Sequence, residues 1–359
     1  MTVTDRSGRR TARRRPATAI VAPRLPMLRH PRPPYDWLAP PALEEIHRAS
    51  LEILEDVGVD FWDDEALEIW ATAGATVDRG RRHVWIDRGL VEAALAAAPA
   101  SFTWRARNPQ RDVFIGENAI AFGPNGGMVF AQDLAGGRRP GTMADLTDFM
   151  KLSQLCDVLH FACWEQVAPQ DIPVNVRHLQ RMEAGLTLTD KPVMEAAHGR
   201  IIPTDCLEMA RIAFGGTLPA EPVIGDVINV NSPLRFDDRM LGGLISYARA
   251  GQATFITPFI LAGAMSPITM AAALAQQNAE ALAGITLTQL VRPGAPVIYG
   301  GFTTNADMRS GSPAFGTPEG AWAVLAGAQL ARRYGLPYRA SGGLTNAKVV
   351  DAQAAYESQ

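Results

Sequence analysis

The residues best suited to chemistry stand where apolar runs give way to polar ones. Trp164 and Glu165 close the run 159–164, and Glu195 and His198 close the run 192–196. Asn305, Asp307 and Arg309 follow the short run 297–299 across the pair Gly300-Gly301. Asn229, Asn231, Ser232, Thr257, Asn346 and Asp351 occupy similar places elsewhere. An acid, a base and amides on loops after strands suit a binding or catalytic mouth better than a merely wet surface. Each residue alone is more often a loop hydrogen-bonder than a catalyst. Convergence of several strand ends is what raises the functional reading. His198 has no second histidine at metal-binding spacing, and no G-x-S-x-G elbow is present. A Schiff-base enzyme would have to draw on Lys151, Lys191 or Lys348, of which Lys348 follows a strand. No single residue is marked as the catalyst.

These positions need strands that end at one face. Strand-like runs are expected at 159–164, 192–196, 223–228, 254–260, 297–299 and 337–340. Helical patterns fall at 173–188, 204–214, 236–249, 267–291 and 318–333. Strands alternating with helices imply βαβ units and a parallel sheet. No Rossmann fingerprint follows the first strand, which disfavours a doubly wound sheet. The expected class is α/β, a (β/α)8 TIM-type barrel. Six strands are countable where eight are needed, and residues 351–359 read as the start of a further helix, so the barrel is expected to lack its last units. Within helix 267–291, Gln276 and Glu280 share a face expected to meet solvent or another subunit.

The expected organisation is a disordered Arg/Pro-rich lead-in (1–41), an extension of helices and a β-hairpin (42–141), and barrel units (142–359). The Gly-rich run 122–142 fits a hairpin arm and matches neither phosphate-loop pattern. Net charge is −3, with 47% apolar and 20% charged residues, a globular profile. Residues 6–15 hold an arginine cluster read as a solvated tail rather than a nucleic-acid arm. No apolar run is long enough to span a membrane. Cys156, Cys163 and Cys206 fit neither a disulfide framework nor a zinc site, and suit a reducing cytoplasm.

The segments IHRASLEILEDVGVDF, ARNPQRDVFIG, FGPNGGMVFAQDLAGGRRPGT and the long run from Asn229 to Glu319 resemble the trimethylamine methyltransferase family. The likeness runs from about Ala42 to the last residue. It implies a (β/α)8 barrel and methyl transfer from trimethylamine, glycine betaine or another quaternary amine. The acceptor it implies is the cobalt(I) corrinoid of a small partner protein, with no tightly bound cofactor and no metal held by this chain. The branch without pyrrolysine is implied, although that residue belongs to the C-terminal part of the family's barrel. A cytoplasmic homo-oligomer with no nucleic-acid or membrane partner is expected. An inactive fragment or pseudoenzyme is the alternative, and a barrel lyase or aldolase a weaker one.

A quaternary ammonium has no N–H to donate, so aromatic faces and diffuse negative charge must recognise it. Trp164, Phe259, Tyr299, Phe302 and Tyr338 are candidates for the aromatic faces, two or three of which would form a cage, and Glu165, Glu195 and Asp307 for the charge. A betaine carboxylate needs a donor, for which Arg309 or His198 would serve.

Overall fold

Three helices, α1 (Pro40–Glu52), α2 (Asp64–Thr72) and α3 (Arg88–Ala97), open the chain in a computed structural model that describes residues 27–133, 136–345, 347, 349 and 351–358. The arginine cluster at 6–15, Asn346 and Lys348 lie outside the described residues. Asp63 caps α2 by accepting the amide of Ala66, and α1 widens into a π turn stopped at Gly58, whose φ is 80°. Only glycine takes that conformation at little cost. Within the expected lead-in, Leu28–Arg29 pairs with Ala119–Ile120, and Trp37 stacks on Trp322 at 5.5 Å.

Six parallel strands follow: β1 (Ala162–Cys163), β2 (Val193–Met194), β3 (Ile224–Asn229), β4 (Ala253–Thr257), β5 (Val297–Gly300) and β6 (Tyr338–Arg339). They lie side by side in chain order, β1 to β6. A doubly wound sheet would reverse direction at a switch point; a barrel wall does not. Every strand expected from the sequence is present, and most are shorter. The run expected at 254–260 is broken at Pro258, which has no N–H to give the ladder. Beyond it, Phe259–Ala262 pairs with Phe302–Ala306 in a separate rim sheet, closed by Pro313–Ala314. The six-stranded sheet is a curled, partial barrel wall; among the described residues β1 and β6 have no further strand on their outer edges.

The helices of this wall are α4 (Met143–Leu155), α5 (Val174–Leu188), α6 (Ile201–Ala213), α7 (Asp238–Arg249), α8 (Met270–Val291) and α9 (Pro318–Arg333). Helix α8 has no polar face of its own and is buried from Ala273 through Gln289, because α1, α2 and α3 cover its outer side. Gln276 and Glu280 are therefore neither solvent-facing nor free for a second subunit. Glu280 accepts the amides of Leu234 and Gln276 at 2.9 Å and the hydroxyl of Ser232, which ties down the loop after β3.

Two cores result. The larger lies between sheet and helices. The smaller fills the lumen with Trp104, Met194, Ala196, Phe255 and Ile298. Trp104 comes from the hairpin Ser101–Trp104/Val113–Gly116. The residues after it donate to Pro222 and Asp190, just before β3 and β2, so this hairpin seals the N-terminal ends of the strands. The expected arm also forms, Phe130–Asp133 against Gly137–Pro140. Among the described residues no helix is long and apolar enough to cross a membrane.

Candidate functional site

Strand alternation decides which side chains reach the lumen. In β2, Val193 packs toward the helices and Met194 into the lumen, so the next residue, Glu195, turns back toward α5. There its carboxylate accepts Arg181 Nη2 at 3.0 Å and the amide of Ala196 at 3.0 Å. The Arg181 guanidinium lies 4.0 Å over the Trp164 indole. Trp164 Nε1 points at Asp226 Oδ1 across a long 3.5 Å, and Asp226 Oδ2 accepts the Ala197 amide at 2.7 Å. The His198 ring meets Trp164 edge-on at 5.6 Å. Trp164, Arg181, Glu195, Asp226 and His198 are thus one connected group at the C-terminal ends of β1 and β2, with Asp226 contributed from within β3 and Arg181 from α5.

Glu165 stands beside it, on the short helical turn Trp164–Gln166 that ends β1. The Gly-rich run covers it. Gly127 and Met128 donate to the Glu165 carbonyl, and a side chain at Gly126 would lie 3.0 Å from Glu165 Cβ and 3.2 Å from Oε2. Here glycine is needed for close approach. Arg339 on β6 shares an electrostatic environment with Glu165, Asp226 and Cys163. The last strand therefore faces the first, which is how the curl of the sheet acts on the site.

Three carboxyls and two guanidiniums gather here, Arg181, Glu195 and Asp226 buried and Glu165 and Arg339 half-buried. Burial resists ionisation of each acid. It holds Glu165 above the usual carboxylate range, against the pull of Arg181 and Arg339. It does the same for Glu195, again against Arg181. Asp226 is raised furthest, by burial and then by repulsion from Glu165. Burial, with Arg239 and Arg181 nearby, lowers His198 to about 4, so its imidazole is neutral at pH 7. Burial also lowers Arg339. Glu195 Oε2 and Arg181 Nε have no partner among the described residues.

The residues singled out from the sequence divide. Trp164, Glu165, Glu195 and His198 come together. Tyr299 does not join them: it alternates to the helix side of β5, fully buried, and donates to Asn278 Oδ1 at 3.0 Å. Phe302 lies in the rim sheet, stacked on Phe259 at 5.5 Å and beside Phe315 at 5.1 Å. Asp307 and Arg309 are exposed on the turn of the rim hairpin, where Asp307 Oδ1 accepts the Arg309 amide. The stretch from Asp307 to Ser312 is polar because it forms that wet turn. Lys191 donates to the carbonyls of Ser153, Cys156 and Leu159, and so is committed to closing α4.

Three members were missed. Asp226 has a legible signal: a lone acid inside the apolar strand Ile224–Asn229. Arg339 has a weaker one, a charge within a two-residue strand. Arg181 has none, since one arginine in an amphipathic helix looks like any other. The arrangement sets three acids against two guanidiniums, one of them on the lumen side, which suits a small cation that also carries a carboxylate.

Comparison with known proteins agrees in kind. The model of the family described as trimethylamine methyltransferase matches residues 5–359. A glycine betaine methyltransferase of Desulfitobacterium hafniense (strain Y51) is 44% identical over 328 residues, 91% of this chain and 68% of that protein. The trimethylamine methyltransferase MttB of D. hafniense (strain DSM 10664 / DCB-2) is 34% identical, covering 88% of this chain and 64% of its own length. MttB of Methanosarcina thermophila is 29% identical, with 88% and 67% covered. The chain thus spans about two thirds of the length of these relatives. With the family match running through nearly every residue, the chain belongs to the trimethylamine methyltransferase family.

Proposed function

We propose that this chain takes a methyl group from a methylated ammonium compound, of which glycine betaine is the best fit, and passes it to the cobalt(I) corrinoid of a partner protein. The observation that carries this reading is the charge pattern around the ends of β1 and β2 in a member of this family: three carboxyls, two of them buried, against two guanidiniums, one of them on the lumen side. Glu165 and Asp226 supply the diffuse negative charge for the ammonium. Arg339 receives the carboxylate of a betaine, a role for which the sequence offered Arg309 or His198. His198, neutral, donates a single N–H. Trp164 has one face under Arg181 and is more a wall than a cage.

Methyl transfer to a cobalt(I) nucleophile needs no general base, and a departing neutral amine needs no general acid. The residues here would orient the substrate, exclude water and hold its charge. The plug around Trp104 closes the other end, which leaves the strand C-termini as the entry side.

The test is methyl transfer from trimethylamine, glycine betaine, carnitine and proline betaine to reduced free cobalamin, followed by absorbance. Turnover with a quaternary amine is expected. Glu165→Gln and Arg339→Met are each expected to lower kcat/KM about tenfold or more, roughly 1.4 kcal/mol of transition-state binding. Absence of turnover with all four would overturn the assignment.

A further inference from the structure

Three phenylalanines meet in the rim sheet, and none of them is sealed. The Phe259 and Phe302 rings stack with centroids 5.5 Å apart, and Phe315 lies 5.1 Å from Phe302 and 6.3 Å from Phe259. All three are half-buried. Alternation fixes the side they occupy. Ile260 and Ala262 pack on Ala273 of α8, and Thr303 donates to Gln277 of the same helix, so Phe259 and Phe302 turn away from the helices. Arg339 lies on that same side. Its neighbour Tyr338 sets its hydroxyl against Gly327 of α9, and the next side chain along β6 alternates to the lumen. Arg339 is paired with Gly300, and its carbonyl accepts the Gly301 amide at 3.3 Å. Phe302 stands two residues beyond Gly300 on that face, so it flanks Arg339 diagonally, a separation that long and aromatic side chains span. Rings in mutual contact leave no room for a cation among them. They offer an outer face, as a platform rather than a cage.

We propose that Phe302, backed by Phe259 and Phe315, is the seat for the methylated ammonium head of the substrate, beside the guanidinium that receives the carboxylate. This rests on the methylated-amine reading above. It supplies the aromatic face that Trp164, covered by Arg181, does not free. In a betaine one methylene separates the two charged groups. Whatever receives the ammonium must therefore stand next to whatever receives the carboxylate. Of the aromatic residues flanking Arg339, Tyr299 and Tyr338 face the helices and Phe302 does not. An aromatic face attracts a cation through its quadrupole, and an ammonium wrapped in methyl groups meets that face without needing an N–H. Phe259 and Phe315 hold the tilt of the ring. The seat selects for charge as well as shape, because a carbon isostere makes the same contacts and loses the attraction.

Calorimetric titration of the full chain with glycine betaine and with its isostere 3,3-dimethylbutanoate is the test. Phe302→Leu is expected to weaken betaine binding about tenfold and isostere binding by much less, so the preference for the charged ligand shrinks. Phe302→Tyr is expected to keep that preference. Replacing Phe302 with phenylalanines carrying one, two and three ring fluorines keeps the shape while draining negative charge from the face. Betaine affinity should fall stepwise along that series, and isostere affinity should not. A ring with a merely structural role would move both ligands together. Betaine binding that ignores fluorination, or equal loss of both ligands in Phe302→Leu, would overturn the seat while sparing the substrate reading. If no methylated amine binds the unaltered chain, the substrate reading fails and the seat fails with it.

Discussion

Arg181 on α5 bonds Glu195 at the end of β2 across 3.0 Å, and both side chains are almost wholly sealed from water. The pair joins the helix layer to the site and holds Trp164 from one face.

Arg181→Met leaves Glu195 buried without its counter-ion. Removing one partner of such a pair costs about 3–5 kcal/mol. Glu195 can escape by taking a proton, so its folded-state pKa rises further. An acid raised on folding loses stability as pH climbs from its unfolded value through its folded one. Urea unfolding should therefore show a larger penalty at pH 8 than at pH 5. A penalty independent of pH would mean the carboxyl is already neutral.

Asp226→Asn carries the same sign in reverse. The native acid is raised well above its ordinary value and so weakens the fold as pH rises. Its amide replacement cannot ionise. Relative to the native chain, the variant should gain stability between pH 5 and pH 8, as read from denaturant midpoints. A gain that shrinks with rising pH would contradict the burial argument.

Glu280→Ala strips acceptors from Ser232, Leu234 and Gln276. Leaving buried donors unmet costs about 2 kcal/mol here. Hydrogen exchange should quicken at the Leu234 amide while α8 itself stays protected. Unchanged exchange at Leu234 would show that the loop needs no clamp.

Tyr299→Phe tests which side of β5 that ring serves. Loss of its bond to Asn278 should cost about 1 kcal/mol. Affinity for glycine betaine should not move, because the ring faces the helices. A tenfold weaker affinity would return Tyr299 to the site.

Gly126→Ala crowds Glu165 through the covering loop. Gly126 is not among the glycines with positive φ, so backbone strain is not at issue. Stability should change by less than about 1 kcal/mol. Betaine affinity should fall severalfold, measured by calorimetry, since the loop must lift or Glu165 must turn.

Much of the wall was legible beforehand. Apolar periodicity placed all six strands and the main helices, because burial of a face imposes its rhythm on neighbouring residues. Glu165, Glu195 and His198 were legible as polar residues closing apolar runs. Asp307 and Arg309 stood in the same relation to β5, yet they occupy an exposed turn, because Gly300-Gly301 starts a second strand that carries the chain out to the rim.

By itself the sequence determined the order of strands and helices, the parallel sheet they imply and the family they belong to. All three follow from patterns carried along the chain. Only the tertiary structure decided that Asp226, Arg181 and Arg339 complete the charged group and that Tyr299 does not. Trp164 and Asp226 are 62 residues apart, and Arg339 and Glu165 come from strands at opposite edges of the sheet. Charge acts through space, and a linear pattern holds no record of which strand ends will face one another.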